Sequence, residues 1–176
     1  SDGNPQRMEQ LAKDLLPNRI GAFRGNLLEC LPVNWASVMQ MIKQDEREKI
    51  PTIERFLVLA VICLVVTSDR KLILIRRSEK VTQYPGCYHV SAAGYVDTDT
   101  VYINGLWEGI TQTAFKELKE EVNLNRNHID KFGVVGGFKH TESNSANIDI
   151  AFFARTKLSG EEVLTLSLGA EDSWEG

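Results

Sequence analysis

The stretch Glu108–Leu124 reads EGITQTAFKELKEEVNL and contains the clearest periodic pattern of the chain. Apolar residues recur in it every four positions, which is the spacing of one face of an α-helix. These residues are Ile110, Ala114, Leu118 and Val122, with Phe115 widening the stripe. The next residue, Asn123, tolerates the left-handed conformation that often ends a helix. The pattern therefore predicts a helix over Ile110–Val122 with one face in a core.

Another face of the predicted helix is acidic. Glu117, Glu120 and Glu121 lie three and four residues apart, so one turn of helix brings their carboxylates onto one arc. Like charges at this spacing destabilise a helix by a few tenths of a kcal/mol per pair, roughly. A divalent cation would offset that, because Mg²⁺ prefers carboxylate oxygens. The alternative is a solvated face on which Lys116 and Lys119 balance the acids.

The residues around these acids favour a cation site over a solvated helix face. Glu108 is followed by seven residues and then by KELKEEVNL over Lys116–Leu124. This resembles the Nudix box, which reads Gly, five residues, Glu, seven residues, Arg-Glu-apolar-any-Glu-Glu-any-Gly-apolar. The segment YPGCYHVSAAG over Tyr84–Gly94 also resembles the strand that leads to the box glycine, which we assign to Gly94. The resemblance covers about residues 55–174.

The resemblance implies a role for each residue of the box. Glu120 and Glu121 would be the principal ligands of a catalytic cation, Mg²⁺ or alternatively Mn²⁺. Glu117 would assist them, and Glu108 would join the metal-binding set from the loop that enters the helix. Lys116 stands where the family has arginine, so the positive charge is kept and the bidentate geometry is lost. Asn123 replaces the last glycine of the box, a mild exchange at a left-handed cap.

The resemblance also implies a reaction, the hydrolysis of a nucleoside diphosphate linked to another group, with water attacking phosphorus. We therefore expect a Nudix-type pyrophosphohydrolase acting on a small nucleoside diphosphate derivative. Arg76 and Arg77 end a predicted strand and are candidates for binding its phosphates, together with Gly94. Because successive side chains of a strand point to opposite faces, we expect only one of the two arginines to do so.

Several assignments stay open at this stage. The general base could be Glu117, Glu121 or Glu142. The residues 95–107, thirteen where the family has five, form either a specificity or lid element or a neutral surface loop. Aromatic residues could stack on a base or could simply pack; they are Tyr84, Tyr88, Tyr102, Trp107 and Phe138. Each histidine, His89, His128 and His140, is expected to be structural.

Two other classes of function are alternatives to the enzyme. A Nudix-like domain can bind or sense a nucleotide without hydrolysing it, but such domains typically lose box glutamates, and this chain has all four. A structural scaffold would bind no Mg²⁺ at all. An isopentenyl diphosphate isomerase shares the fold, yet it has a catalytic cysteine where this chain has Ala92 and Ala93.

The rest of the chain predicts the fold class, an α/β protein with an α/β/α sandwich and a mixed sheet. The predicted strands are Phe56–Val66, Lys71–Arg76, Cys87–Val96, Phe132–His140, Asn147–Thr156 and, as a short sixth, Val163–Leu168. The first two, joined by the turn Thr67–Arg70, are apolar at consecutive positions, so helices should cover both faces of the sheet. Residues 1–50 form a mainly helical extension, with helices at Met8–Leu16 and Trp35–Lys49. Residues 51–176 form the Nudix domain, whose usual C-terminal helix is in question.

The composition of the chain limits the classes of partner that it is expected to bind. The chain has 176 residues, 43% of them hydrophobic and 25% charged, which is typical of one globular domain with additions. A net charge of -4 favours neither nucleic acid nor an anionic membrane. The longest apolar run, Phe56–Val66, is shorter than the roughly 20 residues of a membrane helix. Cys30, Cys63 and Cys87 lack disulfide or zinc spacing. We expect a cytoplasmic protein, and a homodimer is an open alternative.

Overall fold

The structure is a computed structural model of the chain. It describes residues 58–80, 84–97, 105–139 and 147–170 without interruption, together with residues 23–24, 29–30, 40, 43–44, 47–49, 100–101 and 103. The chain divides into two units. One consists of Ser1–Val58 with Lys139–Ile148, and the other of Leu59–Phe138 with Asp149–Gly176.

The first unit contains a short antiparallel strand pair that the sequence did not predict. Strands β1 (Phe23–Arg24) and β2 (Glu29–Cys30) pair with Phe23 opposite Cys30. Two-residue strands are too short to leave a periodic pattern. The helical residues described in this unit are Gln40, Lys43, Gln44 and Arg47, which lie within the predicted helix Trp35–Lys49. The predicted helix Met8–Leu16 lies outside the described residues.

The second unit is built on a five-stranded sheet. Its strands are β3 (Val58–Val66), β4 (Leu72–Ile73), β7 (Ala92–Tyr95), β8 (Ile129–Lys139) and β9 (Asn147–Thr156). Their order is β4, β3, β9, β8, and β7 also pairs with β3. Both β4 and β7 run antiparallel to β3. Two further strands, β5 (Ile75–Arg76) and β6 (Tyr88–His89), form an antiparallel pair of their own.

Two predicted strands are each divided in the structure. The predicted strand Lys71–Arg76 becomes β4 and β5, and Cys87–Val96 becomes β6 and β7. The Ser91 side chain lies at the second division: its hydroxyl accepts a hydrogen bond from the Val65 amide at 2.8 Å and donates one to the Ile73 carbonyl at 2.6 Å. Between β6 and β7, a side chain and not a backbone group therefore bonds to the neighbouring strands. The strand Asn147–Thr156 is confirmed at both ends.

Burial alternates along β3. Val61, Cys63 and Val65 are fully buried, whereas Ile62 and Leu64 between them are only partly buried. One face of the sheet therefore carries the core. The consecutive apolar residues of β3 predicted cover on both faces of the sheet. Within the described residues of β3, the side chains on one face are buried more completely than those on the other. The core continues through an aromatic stack in which the Phe132 ring lies 4.3 Å from Phe115 and 4.9 Å from Phe152, between ring centroids.

The predicted helix is present as α1 (Leu106–Val122), which begins four residues earlier than Ile110. Ile110, Ala114, Leu118 and Val122 are buried, as the apolar spacing predicts. Among the described residues, no helix is long and apolar enough to span a membrane. Helix α1 therefore presents its apolar stripe to the sheet and leaves its acidic arc at the margin of that contact.

Asn123 ends α1 in the left-handed conformation, with φ 56° and ψ 27°, as predicted. Its side chain makes two hydrogen bonds: Nδ2 donates to the Leu166 carbonyl at 3.0 Å, and Oδ1 accepts from the Lys119 ammonium. The residue thus combines a backbone conformation that most side chains disfavour with bonds that hold the helix end in place.

Replacing Asn123 with alanine is expected to lower the free energy of unfolding by about 1–2 kcal/mol, because alanine is strained at positive φ and makes neither bond. Asn123→Gly is the matched control, since glycine accepts the conformation and loses only the bonds. Its loss should be about 1 kcal/mol or less. Urea unfolding of both variants measures the difference. Equal losses would contradict the role assigned to the backbone conformation.

The prediction of a sixth strand at Val163–Leu168 is wrong, because this segment lies in helix α2 (Gly160–Ser167). Ser159 and Glu162 form a capping box: the Ser159 hydroxyl accepts from the Glu162 amide, and the Glu162 carboxylate accepts from the Ser159 amide. Val163 is fully buried in the core. The capping box stabilises the start of the helix. The buried Val163 side chain packs the helix against the core. Residues 171–176 lie outside the described residues.

Candidate functional site

Glu117 lies directly against strand β7. A Cβ atom built on Gly94 would overlap the Glu117 carboxyl group, with Oε2 only 2.5 Å away. The glycine is therefore needed for the carboxylate to approach the strand this closely. The helix α1 positions Glu117 because its neighbours Ala114 and Leu118 are buried on the adjacent part of the helix surface.

Glu121 lies one turn further along α1 and contacts the same strand. The Ala93 amide donates a hydrogen bond to Glu121 Oε1 at 3.3 Å. The Val96 amide bonds to the Leu59 carbonyl of β3 at 3.0 Å. Because amides that point toward and away from the partner alternate along an antiparallel strand, the Ala93 amide points away from β3. Two carboxylates therefore meet neighbouring residues of β7, Glu121 at the Ala93 amide and Glu117 at the place of the missing Gly94 side chain.

The Cys63 thiol is fully buried in the core that α1 covers. Burial first, and then the negative charges of Glu117 and Glu121, together raise the pKa of Cys63 to about 12. The thiol is within hydrogen-bonding range of the Ala114 carbonyl, with Sγ 3.8 Å from the oxygen. Cys63 is therefore a protonated core residue.

Glu120 lies beside Glu117 on the same arc. Successive residues are about 100° apart around a helix, so Glu120, Glu117 and Glu121 span about 100° in total. The Lys116 ammonium is 3.9 Å from Glu120 Oε1, and both side chains are partly exposed. A pair of this kind contributes at most a few tenths of a kcal/mol, roughly. Lys116 therefore keeps a positive charge next to the acidic arc without holding Glu120 firmly.

Glu108 is not brought to the other three glutamates. It lies in the first turn of α1 and not in the preceding loop. Because Glu108 is nine positions before Glu117, its side chain projects from the opposite side of the helix. Its Oε1 accepts a hydrogen bond from Gln112 Nε2 at 3.1 Å and lies 3.8 Å from Arg126 Nη2. The Arg126 guanidinium also covers the Phe115 ring, 4.3 Å from its centroid. Glu108 thus contacts the turn that follows α1.

The residues inserted before α1 are fixed to the helix and do not form a loose loop where they are described. Val101 is buried and approaches Gly109 so closely that an added Cβ would lie 2.6 Å from Val101 Cγ2 and 2.7 Å from its Cα. The Gly105 amide bonds to the Val101 carbonyl at 2.9 Å. Ile103 and Trp107 nearby are exposed, 80% and 63% respectively. The insertion therefore presents apolar side chains at the start of α1.

Arg76 and Arg77 point to opposite faces of the β5–β6 pair. Arg76 is opposite Tyr88 and is exposed; its guanidinium bonds to Glu79 Oε1 at 3.0 Å and to the Gly86 carbonyl at 3.3 Å. Arg77 follows it and is less exposed, and its amide bonds to the Cys87 carbonyl at 2.9 Å. The two arginines therefore cannot act on one group from the same face.

The site can be compared with what Mg²⁺ requires. Within the described residues, no three Asp, Glu, His or Cys side chains are arranged to hold a metal ion. Mg²⁺ does not need three, because it is usually bound through one or two carboxylates and completes its octahedron with water and phosphate oxygens. Glu117 and Glu121 supply two such carboxylates at adjacent residues of β7, and Glu120 lies beside them on the helix. The donor set therefore fits a hard divalent cation.

The remaining candidates are distributed as follows. Tyr84, Tyr88, Trp107 and Phe138 are exposed, whereas Tyr102, His140 and Glu142 lie outside the described residues. His128 is structural, since it completes the cap of the turn Arg126–His128 with Asn125. The sequence analysis missed Asp149, an acid that is only 6% exposed on β9. Its signal in the sequence is an acid inside the otherwise apolar run of residues 148–154.

The fold is similar to that of solved structures. Over 81% of this chain and 74% of the other, it matches the protein DR0079 of Deinococcus radiodurans, with 15% identity and a TM-score of 0.51. The MutT protein of Methanosarcina mazei Go1 is 23% identical over 60% of this chain and 72% of its own, with a TM-score of 0.44. The Nudix domain of Shewanella oneidensis NrtR, complexed with ADP ribose, is 17% identical over 66% and 71%, with a TM-score of 0.43.

Other comparisons give no match. No protein family model matches the chain, and no curated protein does. The likeness to the Deinococcus protein therefore bears on the fold and leaves the activity to be argued from the site. The predicted fold class, an α/β/α sandwich with a mixed sheet, is confirmed.

Proposed function

We propose that the protein is a Nudix-type enzyme that hydrolyses a pyrophosphate bond in a nucleoside diphosphate linked to another group, with water attacking phosphorus and Mg²⁺ or Mn²⁺ as the cofactor. One observation carries the proposal: Glu117 and Glu121 bring two carboxylates to adjacent residues of β7, at Gly94 and Ala93. A solvated acidic face would have no need of the close approach at Gly94.

The proposed roles follow from these positions. Glu117 and Glu121 hold the cation, and Glu120 joins them from the same arc of the helix. When bound, the cation supplies neutralisation of the diphosphate charge and lowers the pKa of the attacking water. Lys116 supplies a positive charge next to the arc. Glu108 is left out of the metal site, because its carboxylate is with Gln112 and Arg126.

The remaining chain contributes substrate contacts. Gly94 acts indirectly in this proposal, because the space left by its missing side chain is occupied by the Glu117 carboxyl group. An arginine of the β5–β6 pair binds phosphate through its planar array of N–H donors, and Arg76 or Arg77 fills this role. The general base is Glu117, Glu121 or Glu142. Each of these is a carboxylate that can accept the proton of the attacking water.

A substrate panel tests the proposal. Nucleotide sugars, dinucleotide cofactors, nucleoside triphosphates, ADP-ribose and non-nucleotide diphosphates are incubated with the protein and Mg²⁺, and phosphate is measured after phosphatase treatment. ADP-ribose is included because the Shewanella domain binds it. We expect turnover of at least one compound. Turnover should stop on chelation with EDTA and return when Mg²⁺ or Mn²⁺ is added back.

Two results would change the conclusion. Binding of a nucleotide without turnover of any compound would favour a sensing domain. Turnover that survives EDTA would remove the carboxylates of α1 from the mechanism. A matched control is inactive phosphatase, which separates phosphate released by the coupling enzyme from free phosphate in the sample.

A further inference from the structure

The side of α1 that faces away from the acidic arc is joined to the core by aromatic rings. Phe115 is two positions before Glu117, so the two side chains are about 160° apart around the helix. The Phe115 ring lies 4.3 Å from that of Phe132, which lies 4.9 Å from that of Phe152, between ring centroids. Phe152 is only 2% exposed. The back of the helix therefore packs on a row of three rings that ends in the core.

Arg126 covers the outer end of this row. Its guanidinium carbon lies 4.3 Å from the centroid of the Phe115 ring, which is the arrangement of a cation–π contact. Nη2 of the same side chain is 3.8 Å from Glu108 Oε1. Glu108 and Phe115 are seven positions apart, about two turns along one side of the helix. Arg126 therefore contacts two turns of α1 from behind.

The two contacts of Arg126 differ in strength. The side chains of Arg126 and Glu108 are 60% and 52% exposed, and an ion pair that is this open to water contributes little. Phe115 is partly buried, and a cation over a partly desolvated ring is held more firmly. The contact with the Phe115 ring is therefore the stronger of the two.

Arg126 projects from a turn that the sheet holds in place. The His128 carbonyl of this turn accepts hydrogen bonds from the Lys157 amide at 2.9 Å and from the Thr156 hydroxyl at 2.8 Å. Thr156 is the last residue of β9, and Lys157 follows it. Asn125 caps the same turn with its side chain. The base from which Arg126 reaches α1 is therefore fixed to the end of a strand.

The rotational setting of α1 decides where the acidic carboxylates lie. A glutamate carboxylate is about 6–7 Å from the helix axis, because the Cα atoms are already about 2.3 Å from it. A rotation of about 10° therefore moves the carboxylate by about 1 Å, a displacement that can lower a rate about a hundredfold. On the front of the helix, Glu117 lies against Gly94, and Glu121 accepts the Ala93 amide. A contact on the back opposes rotation away from these positions.

We propose that Arg126 is a positioning residue, which holds the back of α1 through Phe115 and so keeps Glu117 and Glu121 in the arrangement that binds the cation. In this role Arg126 contacts neither the cation nor the substrate. The inference rests on the proposed function and deepens it, because it adds a residue outside the acidic arc on which cation affinity depends. A purely structural role predicts a lower stability and an unchanged cation affinity of the folded protein.

Binding of Mn²⁺ to the full chain is measured by calorimetry. We expect Arg126→Ala to raise Kd by about 10-fold, the lower end of the range for groups that orient metal ligands. The direction of the change is informative, because the loss of a positive charge alone would strengthen the attraction for a cation and lower Kd. Arg126→Lys should recover part of the affinity, since an ammonium group can also lie over an aromatic ring.

Lys131→Ala is the matched control, because it removes another exposed positive charge, on β8. Its Kd should be equal to that of the unmodified protein or lower by no more than about twofold, since exposed charges act weakly in water. Thermal unfolding reports the fold of each variant. In turnover of the best panel compound, the loss in Arg126→Ala should fall on kcat more than on KM, because the substrate contacts are unchanged.

Phe115→Leu tests the same contact from its other side. Leucine keeps an apolar side chain in the core but has no aromatic face for the guanidinium, so Kd should rise by a similar factor. If Arg126 acts through this ring, the double variant Phe115→Leu with Arg126→Ala should bind Mn²⁺ no more weakly than the weaker of the two single variants. The variants at the exposed Arg126 cover the case in which Phe115→Leu fails to fold.

Each contrary outcome is distinct. A lower Tm with unchanged Kd in Arg126→Ala would show a structural role and overturn the inference, and so would additive losses in the double variant. A Kd that falls in Arg126→Ala, as in Lys131→Ala, would show an effect of charge alone and overturn it as well. Absence of Mn²⁺ binding to the unmodified protein would overturn the inference together with the proposed metal site. Mn²⁺ binding with the expected pattern but without turnover of any panel compound would uphold the positioning role and overturn the hydrolase proposal instead.

Discussion

Replacing Glu121 with glutamine is expected to lower kcat/KM for the best panel compound by at least about a hundredfold, and Glu120→Gln by a similar factor. Glutamine keeps the size of the side chain, and its carbonyl oxygen can still accept the Ala93 amide that bonds to Glu121. The variant therefore removes one negative charge and little else. The loss should fall mainly on kcat if the cation acts in the chemical step.

The measurement needs a control for general loss of acidic charge. Glu161→Gln serves, because Glu161 is exposed in the first turn of α2. Its kcat/KM should stay within about twofold of the unmodified protein, since exposed charges have small effects. Cation affinity, measured by calorimetry with Mn²⁺, should fall in Glu121→Gln and not in Glu161→Gln. Activity unaffected in both glutamate variants of α1 would exclude the acidic arc from catalysis.

Replacing Gly94 with alanine is expected to reduce kcat/KM by about a hundredfold while the protein stays folded, the scale found when a catalytic group is misplaced. The added methyl group would overlap the Glu117 carboxyl group. Glu117 can relieve the overlap by rotating about its side-chain bonds, so the free energy of unfolding should change by no more than about 1 kcal/mol. The carboxylate would then no longer lie against β7 at Gly94.

Gly133→Ala is the matched control for this substitution. Gly133 also lies in a strand, and an added Cβ there meets no atom within 4 Å. Activity and stability should both stay close to those of the unmodified protein. Circular dichroism and urea unfolding confirm the fold of the Gly94 variant before kinetics. Wild-type kcat/KM in Gly94→Ala would show that the close approach of Glu117 has no catalytic meaning.

Helix α1 shows what the sequence can predict. Its apolar spacing predicted which residues are buried, and Asn123 predicted the left-handed end, because both depend on local geometry. The predicted position of Glu108, in the loop before the helix, was wrong, and the reason is also local. The helix begins at Leu106, so Glu108 is helical, and nine residues at about 100° each turn it away from Glu117. Because the sequence predicted a helix that begins at Ile110, Glu108 was expected to lie outside it.

Tertiary placement explains the other differences. The acid Asp149 could be noticed in the sequence, but its burial depends on which elements cover β9. Similarly, the segment Val163–Leu168 reads as apolar and short, and only the Ser159–Glu162 capping box indicates that it starts a helix. The division of two predicted strands depends on Ser91, whose hydroxyl bonds to two separate strands. Contacts between distant residues leave no periodic trace.

The hydrogen bond from Asn123 to the Leu166 carbonyl joins the end of one helix to the last turn of another. Fraying of α2 would therefore release the side chain that holds the end of α1, one turn beyond Glu120 and Glu121. We therefore expect local opening of the two helices to be coupled. The segment that restrains the end of the acidic helix lies more than forty residues further along the chain.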